Sequence, residues 1–226
     1  MKITFYGHAC LEAEINGKKI LFDPFISPNE LAKDIDVNAI KPDYICVSHG
    51  HEDHIADVEK IAKQSSATIV SNFEIVSWFG AKGLEKGHPM NHGGKWSFDF
   101  GQLKYVNAVH SSTLPDGSSG GNPGGFVIDS TEGNFYYAGD TALFGDMQLI
   151  PKFTALDFAI LPIGDNFTMG IEEAVEAAKM LQCKKVIGMH FDTFGYIVID
   201  KVTAKNKFKE AGIELHLLEI GQTIDI

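Results

Sequence analysis

The sequence predicts an α/β protein, and three observations carry that prediction. Short apolar or alternating runs fill the first quarter, an Asn-Gly pair separates two of them, and the last third alternates strand-like with helix-like segments. With 226 residues, 44% of them hydrophobic and 22% charged, the chain reads as one large soluble domain (1–226) able to bury its own core.

Ile3–Tyr6, Cys10–Ile15 and Lys19–Phe22 are the first strand candidates, and Asn16-Gly17 is the hairpin turn between the second and third. Asp23-Pro24 ends the third. Tyr44–Ser48 follows Lys41-Pro42-Asp43 and delivers the chain to His49. Ile55–Gln64 has helical spacing. Thr68–Ser71, Asn72–Gly80, Leu103–Val109, Phe126–Ile128 and Phe135–Ala138 continue a mixed strand and helix pattern. Phe158–Leu161, Ile171–Leu181, Lys185–Met189, Lys201–Ala211 and Glu214–Leu217 then alternate the two types. Glycine-rich Pro115–Gly125 is expected to be a loop, either a mobile lid or a plain surface connection. Gly87–Gly94 reads as turn, with His88 and His92 exposed and holding no metal.

The net charge of −11 and the lack of any lysine-rich run argue against a dedicated nucleic-acid-binding patch, which needs cations to neutralise phosphates. A small anionic substrate stays compatible, because bound metal ions would make a site locally positive. Cys10, Cys46 and Cys183 form no C-x-x-C pair and lie in or beside apolar stretches, so they read as small buried hydrophobes of a reducing compartment. The start Met1–Phe5 has no signal-peptide core and no 18-residue apolar span follows. A cytoplasmic enzyme with no membrane partner is expected. A homo-oligomer is compatible with the sequence, which does not resolve the oligomeric state.

The chemistry concentrates in His49-Gly50-His51-Glu52-Asp53-His54. Histidines two apart in an extended segment project to one side, and Gly50 between them is expected to let the backbone bend close to an ion. Asp53 and His54 stand where a helix would begin near Ile55, so they can address a second ion. Three imidazoles and a carboxylate suit zinc, and also iron, manganese or nickel. Histidine is 9 of the 226 residues, so a chance H-x-H-x-D-H match is on the order of one in a thousand. Further ligands must come from elsewhere. His110, Asp140 and His190 each close an apolar run, where a strand-end metal site would take them.

In that order, H-x-H-x-D-H, a strand-end His, Gly139-Asp140-Thr141 and a late strand-end His, the chain resembles the metallo-β-lactamase superfamily. It is similar in particular to a branch of uncharacterised metal-dependent hydrolases related to ascorbate-phosphate lactonase. Gly7-His8-Ala9, Asp23-Pro24-Phe25-Ile26, His110-Ser111-Ser112, Leu161-Pro162-Ile163-Gly164, Phe167-Thr168-Met169-Gly170 and His190-Phe191-Asp192-Thr193-Phe194 carry that likeness. It implies a four-layer αββα sandwich, two mixed sheets flanked by helices, with the site along one edge. It also implies two divalent ions, one on His49, His51 and His110, the other on Asp53, His54 and His190, with Asp140 bridging. Asp23 would orient the metal-binding loop, and His8 would support the site or touch substrate. This branch usually has Tyr where Phe191 stands, and His92 occupies a place where an apolar residue is expected.

The implied reaction is hydrolysis, in which water activated between the two ions attacks carbon or phosphorus and Asp53 or Asp140 orients it. A phosphodiester, a lactone and a thioester all suit such a site, and the paired cations favour a small anionic substrate, phosphodiester or lactone. Two rivals are a di-iron redox centre on the same scaffold and a non-catalytic metal-binding protein. The first normally needs a fused flavin domain, which these residues do not contain; the second leaves a full ligand set without use.

Overall fold

In the computed structural model, which describes residues 1–226, Asn16 and Gly17 both have positive φ, 51° and 72°. This mirror-image turn matches the twist of the strands it joins, β2 (Cys10–Ile15) and β3 (Lys18–Phe22). With β1 (Lys2–Gly7) they form an antiparallel meander, and β4 (Tyr44–Cys46), β5 (Thr68–Asn72) and β6 (Gly87–Met90) extend it in parallel from β3. The other sheet repeats the plan. β7 (Lys95–Phe98), β8 (Gly101–Asn107), β9 (Gly124–Ser130) and β10 (Gly133–Tyr137) are antiparallel; β11 (Phe158–Pro162), β12 (Lys185–Met189) and β13 (Glu214–His216) continue in parallel. A last strand, β14 (Thr223–Asp225), returns to pair with β1, giving two seven-stranded sheets.

The inner faces meet through large side chains: Phe22 of β3 stacks on Tyr137 of β10 with centroids 4.6 Å apart. β11 is buried along its whole length, as a central parallel strand covered on both faces must be. Outside the first sheet lie the short helix α1 (Glu52–Ile55), α2 (Val58–Ser65) and α3 (Phe73–Ala81). Against the second pack α4 (Ile171–Met180), which buries Ala174, Val175, Ala177 and Ala178, and α5 (Lys201–Glu210), which buries Ala204 and Phe208. These are the one-sided helical stripes that the sequence spacing predicts. No helix is long and apolar enough to cross a membrane. All three cysteines are buried and free.

Three expectations change. Gly87–Gly94 is not all turn, since Gly87–Met90 pairs with β5; its Pro89 fits an edge strand, which leaves one side unbonded. His88 and His92 are half-buried rather than exposed: His88 packs against Phe98, and His92 lies on Tyr105 with Nε2 2.9 Å from the Pro123 carbonyl. Neither joins a ligand cluster. The Ile55–Gln64 helix begins earlier, at Glu52, and breaks between Ile55 and Val58.

Strand direction positions the site. β1 and β3 both flank β2 antiparallel and β4 runs parallel to β3, so these three point the same way. By the same logic β8, β10 and β12 share a direction. His8, Asp23 and the His49 motif leave the ends of the first three; His110, Asp140 and His190 leave the ends of the others.

Candidate metal centre

The turns off the strands are abrupt. His8, Asp23 and His190 adopt positive φ of 55°, 41° and 57°, a region that costs a side-chain-bearing residue about 1–2 kcal/mol each. The chain spends this strain where it aims polar groups into a shared, buried space.

His49, His51 and His110 converge, with His49 Nε2 3.0 Å from His51 Nδ1. His8, Asp53, His54 and His190 converge beside them. Asp140 Oδ2 lies between, 3.0 Å from His190 Nε2, 3.4 Å from His54 Nε2 and 3.6 Å from His110 Nε2.

The hydrogen bonds fix which nitrogens face inward. The Ser48 hydroxyl donates its one proton to Asp23 Oδ2 at 2.5 Å, so it accepts from His49 Nδ1 at 2.9 Å and leaves His49 Nε2 unprotonated, facing His51. Asp23 Oδ2 also accepts from His54 Nδ1 at 2.8 Å, while Oδ1 accepts from the Ser48 backbone N–H at 2.7 Å. Asp23 is fully buried and engaged at both oxygens. It therefore orients histidines, with Oδ2 fully engaged by Ser48, His54 and the Tyr137 hydroxyl, although Asp23, His49 and His54 also lie close enough together to hold an ion. On the opposite wall His8 Nε2 sits 3.1 Å from Asp53 Oδ2, and its Nδ1 3.0 Å from Thr193 Oγ1.

The electrostatics divide the cluster. Burial, assisted by the neighbouring imidazoles, pushes the pKa of His49 well down and lowers those of His51 and His110, keeping these three in the neutral form that binds metals. Burial also opposes charge on His54 and His190, but Asp140 and Asp53 outweigh it, raising His54 well above its ordinary value and His190 to about 9. The same histidines hold Asp53 and Asp140 below the usual carboxylate range against the opposing effect of burial.

Whether a metal fits rests on the atoms left unpaired. His54 Nε2, His190 Nε2 and Asp140 Oδ1 are buried with no hydrogen-bond partner, and all belong to the cluster. Buried polar atoms without partners are costly, and a divalent ion bound by nitrogen and oxygen donors would satisfy them. The residues present fit such ions.

All seven sequence-predicted ligands thus come together, with His8 and Asp23 beside them. Sequence reasoning gave no role to Ser48, nor to Thr193 and Ser111, although the last two fall in motifs that carry the family likeness; the Ser111 hydroxyl lies 3.2 Å from His51 Nε2. Ser48 directly precedes the histidine run, the one signal that pointed to it. Gly50 serves a purpose other than the expected one. Its φ is ordinary, and a Cβ there would press on Leu114 at 3.0 Å, so it lets the segment around Leu114 pack close. That segment is pinned: Leu114 is buried, Asn72 Nδ2 donates to the Gly120 carbonyl at 2.7 Å, and Trp78 Nε1 donates to Asp116 at 2.6 Å. It lines no part of the cavity over the metal cluster, which speaks against a lid. Phe191 packs on Phe5 and beneath Lys201 instead of lining that cavity, so the hydroxyl absent at this position would not face it.

A family model for the beta-lactamase superfamily domain matches residues 2–190. A UPF0173 metal-dependent hydrolase of Flavobacterium johnsoniae is 57% identical over 226 residues, all of both chains, and one of Methylacidiphilum infernorum is 52% identical over 224 residues, 99% of each. Among solved structures, Igni18, a metallo hydrolase from the hyperthermophilic archaeon Ignicoccus hospitalis, superposes with a TM-score of 0.89 at 35% identity, covering 99% of this chain and 97% of that one.

Proposed function

The chain belongs to the metallo-β-lactamase superfamily, among its UPF0173 metal-dependent hydrolases, and from that premise we propose a two-ion hydrolase of small ester-type substrates, a lactone or a phosphodiester. The position of Asp140 Oδ2, within 3.0 to 3.6 Å of histidines from both clusters, carries this reading. A single carboxylate so placed can serve two ions at once. His49, His51 and His110 would hold one ion, Asp53, His54 and His190 the other, and Asp140 both; zinc suits these donors first, then manganese, nickel or iron. Ions bound there would acidify a water molecule and polarise the scissile group.

The chain's own residues do the rest. Asp53 is only half-buried and opens onto the cavity, so it is the carboxylate placed to orient the attacking water. His8 donates from Nε2 to Asp53 Oδ2 and so fixes the direction in which that carboxylate points. Burial, with His190 beside it, lowers the His8 pKa to about 4, so near neutral pH it acts as a neutral donor and not as a cation. Asp23 keeps His54, and through Ser48 His49, turned inward. The deciding experiment is a panel of bis-p-nitrophenyl phosphate, lactones and thioesters, assayed with Zn²⁺, Mn²⁺ and Ni²⁺. Turnover of an ester that chelation abolishes and metal restores is expected; full metal loading with no turnover on any class would overturn the reading.

A further inference from the structure

The cavity over the cluster is about 780 Å³, and its lining falls into two halves. One is the polar floor of His51, His110, Asp53 and Asp140. The other is an aromatic wall of Phe167, Phe194 and Tyr196. Phe194 continues directly from the site, its ring 5.3 Å from that of His8. Phe167 and Tyr196 stand edge to face at 6.1 Å, yet are 50% and 78% exposed. Large aromatic rings left this open beside a polar cluster have not found their partner within the chain.

The wall is built deliberately. Phe167 is carried by a turn in which Asp165 and Asn166 both take positive φ, 63° and 55°. Phe194 and Tyr196 sit on the loop leaving β12, beyond the left-handed His190 and Asp192, φ 57° and 62°. Two strained turns from adjacent parallel strands thus present three rings to the same space.

What the lining lacks is equally specific. No lysine borders the cavity, and all 19 basic side chains of the protein are lysines, so no guanidinium exists to clasp a phosphate or carboxylate. Lys201, on the loop's far side, is engaged with Asp192 at 3.1 Å. Away from the floor, a charged substrate would meet aromatic faces and the neutral hydroxyls of Ser111 and Thr193, with no lysine to pair with.

Building on the hydrolase reading, we infer that the substrate is a neutral lactone or carboxylic ester whose non-reacting part is an aromatic or similarly flat apolar group, seated on Phe167, Phe194 and Tyr196. This reverses the expectation of an anionic substrate drawn from the metal pair alone. Bound ions would meet the negative charge that develops on the carbonyl oxygen, and the wall provides what remains of recognition.

The test compares dihydrocoumarin with δ-valerolactone, the same six-membered lactone with and without a fused ring, on the metal-loaded protein. Dihydrocoumarin releases a phenol, which speeds the chemical step by itself, so stacking is read in KM: the KM of δ-valerolactone should exceed that of dihydrocoumarin by a ratio of at least about ten. Phe167→Ala and Tyr196→Ala should each cut that ratio severalfold, and the double variant should bring it near one. In parallel, binding of the unreactive lactams, 3,4-dihydro-2-quinolinone against δ-valerolactam, is followed by saturation-transfer NMR. Equal handling of the fused and simple compounds in both measurements would overturn the inference, as would a preference for bis-p-nitrophenyl phosphate. So would a wild-type oligomer that the double variant dissociates, since the wall would then be a subunit contact. If no ester turns over but the fused lactam binds and the double variant releases it, the aromatic site stands and the hydrolase reading falls.

Discussion

Nδ1 of His54 lies 2.8 Å from Oδ2 of Asp23, and both side chains are completely buried. Asp23 touches nothing in the cavity, yet it sets the orientation of one predicted ligand directly and of His49 through Ser48. Asp23→Asn keeps the shape and removes the charge, and its amide would offer N–H donors where acceptors are needed. Metal affinity should fall about 10–100-fold, the usual cost of losing such an outer partner. Competition with a chromogenic chelator reads this, and an unchanged affinity would count against the orienting role.

His8→Ala removes the donor that holds Asp53. If His8 positions that carboxylate, kcat should drop about 10–100-fold while the protein keeps its full metal content, and His8→Gln, which retains an N–H, should recover part of the loss. Loss of a metal equivalent instead would make His8 a ligand, consistent with its place in the second cluster.

His51→Ala takes a donor from the more open cluster, so the fold should tolerate it. Metal analysis should show one ion fewer per chain, and ester hydrolysis should fall by more than the roughly 100-fold expected for an outer partner. Unchanged values for both would sink the assignment.

Removing metal should be costly to stability as well as to activity. Free metal at about 100 times its dissociation constant adds about 2.7 kcal/mol, which for a chain of this size corresponds to a melting temperature about 5–10 °C higher. Calorimetry before and after chelation measures the difference. Identical melting curves would mean that the unpaired atoms of His54, His190 and Asp140 are satisfied in some other way.

Gly139 precedes Asp140 with φ of +61°, and a Cβ there would lie 2.6 Å from Ser48 Cβ. Gly139→Ala therefore combines a strained backbone with a clash against the residue that relays Asp23 to His49. Destabilisation of at least about 2 kcal/mol in urea melts is expected, together with weaker metal binding. A neutral result would show that the two segments can separate without cost.

The parts of the site legible in the sequence were those that chemistry makes conspicuous. His49–His54 is contiguous, and His110, Asp140 and His190 each follow an apolar run, so period and residue type sufficed. Ser48 and Thr193 were not legible, because a hydroxyl relay depends on where its two partners arrive in space. The aromatic wall escaped for the opposite reason: Phe167 and Phe194 fall in motifs that carry the family likeness, but neither they nor Tyr196 reveal from residue type alone that their rings are exposed at one cavity. In the fold, the strands that were missed lie at sheet edges. β6 carries a proline, β7 is four residues long and largely exposed, and β14 is three residues long, so the alternation in Lys95–Phe98 and Thr223–Asp225 is too short to stand out.

The matching strand orders of the two sheets give those strand ends a second meaning. Position by position, β1 corresponds to β8 and β3 to β10, so His8 is the counterpart of His110 and Asp23 of Asp140. The two halves share one strand plan and differ in their aspartates: Asp23 is engaged at both oxygens, whereas Oδ1 of Asp140 is buried without a hydrogen-bond partner. The cluster draws on both: His8, Asp23 and His49–His54 come from the first half, His110, Asp140 and His190 from the second.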